Sequence, residues 1–98
     1  MTLEETVNVF LNVFNMYKKT SDSKMNFYCG ITNDLDRRKG EHNVDDFLYN
    51  VKCKDFDTAR DLEELLKNAG FDCGSETGHG KEDSIYVYIY RKTSKTKE

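Results

Sequence analysis

The sequence predicts a small α+β domain in which an antiparallel sheet is flanked by two or three helices. Ser84-Ile85-Tyr86-Val87-Tyr88-Ile89-Tyr90 alternates aliphatic and aromatic residues with the two-residue period of a strand. Thr58 to Asn68 places Ala59, Leu62, Leu65 and Leu66 on one helical stripe, with Asp57 as its cap and Gly70 just beyond its end, where positive φ is tolerated. The chain has 98 residues, enough for one domain with one modest core, and six Phe and six Tyr can fill it.

The remaining elements follow in chain order. Residues 3–17 support two readings. Leu3, Val7, Phe10, Leu11, Phe14 and Tyr17 form a helical stripe, and Thr2 with Glu5 makes a capping box. Val7, Val9, Val13 and the aromatics also suit a strand, and Asn8, Asn12 and Asn15 are poor helix formers. Periodicity alone slightly favours the helix. Lys19 to Lys24 is a turn by composition. Met25 to Ile31 reads as a strand, and Asn33 or Asp34 caps a short helix running to about Asn43. Phe47 to Cys53 reads as a further strand. Residues 70–83 form a Gly-rich charged loop, and Arg91 to Glu98 a charged, frayed tail. The chain carries no internal repeat.

Composition excludes several classes. A net charge of -3 is not that of a generic polyanion binder, so a nucleic-acid role requires a local basic patch. With a mean hydropathy of -0.81, the chain holds no apolar run long enough to span a membrane and opens with no signal peptide. Cys29, Cys53 and Cys73 are widely spaced with no CxxC pair, which points to reduced thiols in a cytoplasmic protein rather than structural zinc or disulfides.

The chemistry-bearing run is Tyr28-Cys29-Gly30-Ile31-Thr32-Asn33-Asp34-Leu35-Asp36-Arg37-Arg38-Lys39-Gly40-Glu41-His42. Tyr28 and Gly30 form a Tyr-x-Gly element. Arg38 and His42 follow on a helix at i and i+4, hence on one face. One group can clamp a phosphate while the other handles a proton. This run resembles the second half of the GIY-YIG endonuclease motif, found in intron-homing phage endonucleases and the incision subunit of bacterial excision repair. In that family a Gly-Ile-Tyr element lies on the preceding strand, about eleven residues before the second tyrosine. Asn15-Met16-Tyr17 occupies that place, with Asn in place of Gly. The resemblance therefore turns residues 8–18 into a strand that pairs with the next as a hairpin. It also implies a metal-binding carboxylate on a later helix; Ala59, Glu63 and Leu66 match its setting, and Glu63 is preferred to Glu64.

What the resemblance implies is DNA phosphodiester hydrolysis with one Mg²⁺ (or Mn²⁺) on Glu63, Arg38 on the scissile phosphate, and Tyr17, Tyr28 or His42 deprotonating or orienting the water. His42 is the base whose ordinary pKa lies nearest neutrality. Taken singly, each residue has a plainer reading. Tyr17 and Tyr28 would be half-buried strand aromatics, Arg38 a solvated helix charge, His42 a helix-end cation and Glu63 an exposed carboxylate. The functional reading rests on all five occurring in order.

A rival expectation is a catalytically inactive binding or inhibitor module of the same fold. It would hold a protein partner or a nucleotide, and a phage counter-defence role would suit it. The charge of -3, the substituted glycine and the lack of room for a DNA-targeting domain motivate this rival. A homodimer through an exposed edge of the Tyr-rich strand is a third. His79, among Gly70, Gly74, Gly78 and Gly80, fits no P-loop; its loop reads as a connection, with substrate contact as the alternative. Tyr86, Tyr88 and Tyr90 share a strand face, expected to pack, with base stacking as its rival.

Overall fold

The computed structural model of the chain describes residues 2–73 and 85–97. Its elements are α1 (Leu3–Tyr17), a 3-10 turn (Lys24–Asn26), β1 (Phe27–Thr32), α2 (Leu35–His42), β2 (Tyr49–Lys52), α3 (Phe56–Asn68), β3 (Asp72–Cys73) and β4 (Tyr86–Arg91). The strands form one sheet in the order β2-β4-β1-β3. The α+β class is as expected. Most of the 70–83 loop, including His79, lies outside the described residues.

Three expectations are corrected. Residues 8–18 are not a strand: residues 8–17 belong to α1 and Lys18 is its C-cap. The local signals prevail there. Thr2 Oγ1 accepts the Glu5 N–H at 3.1 Å while Glu5 Oε1 accepts the Thr2 N–H at 2.8 Å, so both halves of the capping box form. The helical stripe then buries Phe10, Val13 and Phe14, a gain that outweighs the modest helix penalty of the asparagines. Tyr17 is the last residue of α1 and is half exposed. The antiparallel neighbour of β1 is consequently β4, with Gly30 opposite Tyr88 and Tyr28 opposite Tyr90. The sheet is also mixed rather than antiparallel, because β3 runs parallel to β1 and sets Cys73 beside Cys29. Finally, β4 has no free edge for a dimer, being paired with β1 on one side and β2 on the other.

Strand alternation divides the sheet into two faces. On the first, Phe27 and Cys29 of β1 and Val87 and Ile89 of β4 pack under α1 and α3, joining Phe10, Phe14, Ala59, Leu62, Leu66 and Phe71. Phe14 stacks edge-on against Phe27 and Phe71, with ring centroids 5.0 and 5.9 Å apart. α3 is capped by Asp55, two residues before the expected Asp57, and is followed after its Ala69 C-cap by Gly70 with φ 113°. On the second face Tyr28, Tyr88, Tyr90 and Phe47 gather with Leu35 of α2 and Val44. A bidentate Arg91–Asp22 pair at 2.7 and 3.0 Å ties the 19–22 turn to β4, and these bonds hold the Asp22 carboxyl down at about 2.

Candidate active site

The second face of the sheet brings the site together. β1 delivers Tyr28 and Gly30 to it. α2 starts on an Asp34 cap whose carboxylate accepts the Arg37 N–H at 3.0 Å, and ends at Asn43 in the left-handed conformation, φ 57°. Within this short helix Arg38 and His42 lie one turn apart and both turn toward β4. Gly30 leaves space for the Tyr88 ring. A Cβ at position 30 would fall 2.6 Å from Tyr88 Cζ and closer still to its hydroxyl oxygen. The glycine of the Tyr-x-Gly element therefore has a steric reason.

His42 is 1% exposed and Tyr88 0%. His42 Nε2 lies 2.7 Å from the Tyr88 hydroxyl, and Arg38 Nη2 donates to the same oxygen at 3.4 Å. Arg38 Nη1 donates to Glu41 Oε1 at 2.8 Å. The Tyr90 hydroxyl sits 3.0 Å from His42 Nδ1, and the same nitrogen meets the Lys97 carbonyl. Phe47 stacks on Tyr88 at 4.3 Å. The expected frayed tail is docked through Lys97, held by Asn43 Nδ2 on the Lys95 carbonyl at 2.8 Å and by the Lys97 N–H on the His42 carbonyl at 2.7 Å.

Three polar groups beside this network have no hydrogen-bond partner among the described residues: the Tyr28 hydroxyl, Arg38 Nε and the Glu63 carboxylate. Burial pushes the Tyr28 phenol well up, and the Arg38 charge pulls partly against it. Burial likewise takes Tyr88 up to about 12, with Arg38 again opposing. For Arg38 itself burial works against the charge, but the bonds to Glu41 and Tyr88 outweigh it and raise its pKa. Glu63 is 4% exposed, whereas Glu64 beside it is exposed. Burial raises Glu63 to about 7, and Lys67 offsets this only in part. Its charge also reaches Tyr28 and Tyr88, adding to the rise that burial produces at each.

Of the five expected site residues, Tyr28, Arg38 and His42 share one cluster, and Glu63 lies within electrostatic reach of it. Tyr17 takes no part in the cluster's ring contacts or hydrogen bonds. Tyr88, Tyr90 and the Lys97 main chain were missed. Only the alternation of residues 84–90 hinted at the tyrosines, and it reads equally well as packing. Among the described residues no three or more His, Cys, Asp or Glu side chains gather as a metal cage. A divalent ion would instead rest on one carboxylate and keep its waters, and a buried, unbonded Glu63 fits that use. Compared with known proteins, the chain matches no family model, no curated protein and no solved structure.

Proposed function

We propose that the protein is a divalent-metal-dependent endonuclease of GIY-YIG type, acting on DNA, with its motif elements in a different chain order. The carrying observation is the set of three unpartnered groups, Tyr28 hydroxyl, Arg38 Nε and Glu63 carboxylate, beside a bonded Arg38–Tyr88–His42 chain. The resemblance calls for a tyrosine on the strand paired antiparallel with the Tyr-x-Gly strand. Here that strand is β4, reached from the far end of the chain, and Tyr88 takes the place expected of Tyr17 beside the Tyr-x-Gly strand.

In this reading Arg38 offers its charge to a phosphate oxygen from the part of the side chain that reaches solvent, while its two terminal nitrogens stay on Glu41 and Tyr88, so the guanidinium is aimed before substrate arrives. Glu63 would hold Mg²⁺ or Mn²⁺, which when bound supplies charge at the phosphoryl and leaving oxygens. Tyr28 orients the attacking water through its hydroxyl. His42 and Tyr88 are both enclosed and do not meet that water; through the Tyr88 hydroxyl they hold Arg38 in place. The test is purified protein with Mg²⁺ or Mn²⁺ on plasmid and branched DNA. Cleavage that falls at least about a hundredfold in Glu63→Ala and in Arg38→Ala supports the reading. Uncut DNA, or a Glu63→Ala protein as active as the parent, overturns it.

The enclosure of Tyr88 and His42 favours one rival, an inactive module of the same fold that holds a protein or nucleotide ligand. A tight partner recovered by pull-down, bound equally well by the Arg38→Ala protein, would establish that reading. A cytoplasmic setting and a phage or mobile-element source suit both. No helix among the described residues is long and apolar enough to cross a membrane.

A further inference from the structure

We infer that the segment 93–97 is a working part of the site: the main-chain carbonyl of Lys97 holds the His42 ring in its Nδ1–H form and leaves Nε2 as the proton acceptor for Tyr88. This inference rests on the nuclease reading only for its catalytic consequence. A carbonyl oxygen can accept but never donate, so the nitrogen against it must carry the hydrogen. Nδ1 is therefore the protonated nitrogen. The Tyr90 hydroxyl donates to the same carbonyl at 3.2 Å, so its oxygen can accept from Nδ1–H as well.

The other end of the ring agrees. The Tyr88 hydroxyl proton needs an acceptor, and Arg38, its other neighbour, only donates. Nε2 at 2.7 Å is the remaining acceptor among the described residues. A hydrogen on Nε2 would leave the buried Tyr88 proton with nothing to bond, at a cost of about 1–3 kcal/mol. The two ends thus select one neutral tautomer, and the proton order runs from Tyr88 into Nε2.

The tail is built to hold this carbonyl in place. The Lys92 N–H donates to the Asn26 carbonyl at 2.7 Å, which prolongs the sheet past β4. A Thr93–Thr96 turn reverses the chain, with the Thr93 N–H on Thr96 Oγ1 at 3.0 Å. Asn43 Nδ2 then clamps the Lys95 carbonyl, and the Lys97 N–H satisfies a carbonyl of the last turn of α2, that of His42 itself. Residue 42 is gripped by both its side chain and its main chain. Lys97 is a positioning residue, and it acts through its backbone.

The test is ¹⁵N NMR of the His42 ring in the full chain at about pH 8, above the ordinary imidazole pKa of about 6.5. The expected result is a single Nδ1–H tautomer. A chain cut after Thr93 divides its His42 between tautomers, and its DNA cleavage falls at least about tenfold. Lys97→Ala, which keeps the carbonyl, keeps the tautomer. Should truncation unfold the chain, Asn43→Ala loosens the clamp and shifts the tautomer ratio alone. An Nε2–H ring in the full chain, or an unchanged tautomer after truncation in a folded protein, overturns the inference. Because the tautomer is read without substrate, DNA left uncut by a full chain with the expected ring would sink the nuclease reading and leave this one standing.

Discussion

The two faces of the sheet are made from the same strands and held by different physics. On the face under α1 and α3, Phe27, Cys29, Val87 and Ile89 are buried against other apolar side chains, and the gain comes from area removed from water. On the face under α2, Tyr28, Tyr88, Tyr90 and His42 are buried just as deeply, but each polar head must be matched. The first face tolerates any close-packed solution. The second ties Tyr88, Tyr90 and His42 into one hydrogen-bonded set, while the Tyr28 hydroxyl, Arg38 Nε and the Glu63 carboxylate have no hydrogen-bond partner among the described residues. A difference of one position along β4, Tyr88 against Ile89, separates the two regimes.

The contrast can be broken most severely at Gly30. Gly30→Ala should cost about 3 kcal/mol in chemical denaturation, because its methyl displaces the Tyr88 ring. Gly40→Ala on α2, where an added Cβ meets nothing within 4 Å, should instead stabilise by about 0.5–1 kcal/mol. Equal effects at the two glycines would remove the steric role assigned to the motif.

Glu63 sharpens the contrast through pH. Its folded pKa of about 7 lies above the ordinary 4.5. The proton is therefore bound more tightly in the folded state, and the associated stability is full below about pH 4.5 and lost as pH rises through about 7. Glu63→Gln should match the parent at about pH 4 and exceed it by up to about 3 kcal/mol at about pH 8. Millimolar Mg²⁺ should raise the parent Tm at the higher pH and leave that of Glu63→Gln alone. Parallel pH profiles for the two proteins would remove the buried charge from the account.

Smaller effects follow at β4 itself. Tyr88→Phe leaves His42 Nε2 and Arg38 Nη2 short of a partner and should cost about 1–3 kcal/mol, with cleavage lost at least about a hundredfold. Ile89→Val should cost about 1 kcal/mol and leave cleavage intact. Smallest of all, Tyr17→Phe should move stability by less than about 0.5 kcal/mol and cleavage not at all. A strong loss of cleavage there would restore the hairpin arrangement that α1 replaces.

Much of this was legible in the chain. The Asp34 cap of α2, the Gly70 stop after α3 and the alternation in β4 were legible because each is local; the α3 cap fell to Asp55 rather than Asp57, since either aspartate can cap that turn. The capping box of Thr2 and Glu5 was legible too, yet a spacing argument set it aside, and the structure sides with the box. The preference for Glu63 over Glu64 followed from helix context; Glu63 is buried and Glu64 exposed. Tyr88 and the docked tail were hidden for a different reason. Their partners are distant in sequence, Tyr88 lying 46 positions from His42 and Lys97 55, and a long-range hydrogen bond leaves no local pattern. Tail residues such as Lys95 and Lys97 look like solvated charges because it is their main-chain groups that bond.

The pairing of β1 with β4 also sets when the site can exist. α1, β1 and α2 leave the ribosome with the tyrosine face of β1 still lacking its neighbour, and the loop that must close is long. The chain contains no proline, so isomerisation does not delay folding, and this late strand pairing is left as the slow event. A nascent chain therefore carries Arg38 and His42 without Tyr88 to hold them. Under the proposed nuclease reading, activity would arise only as β4 and the segment after it emerge.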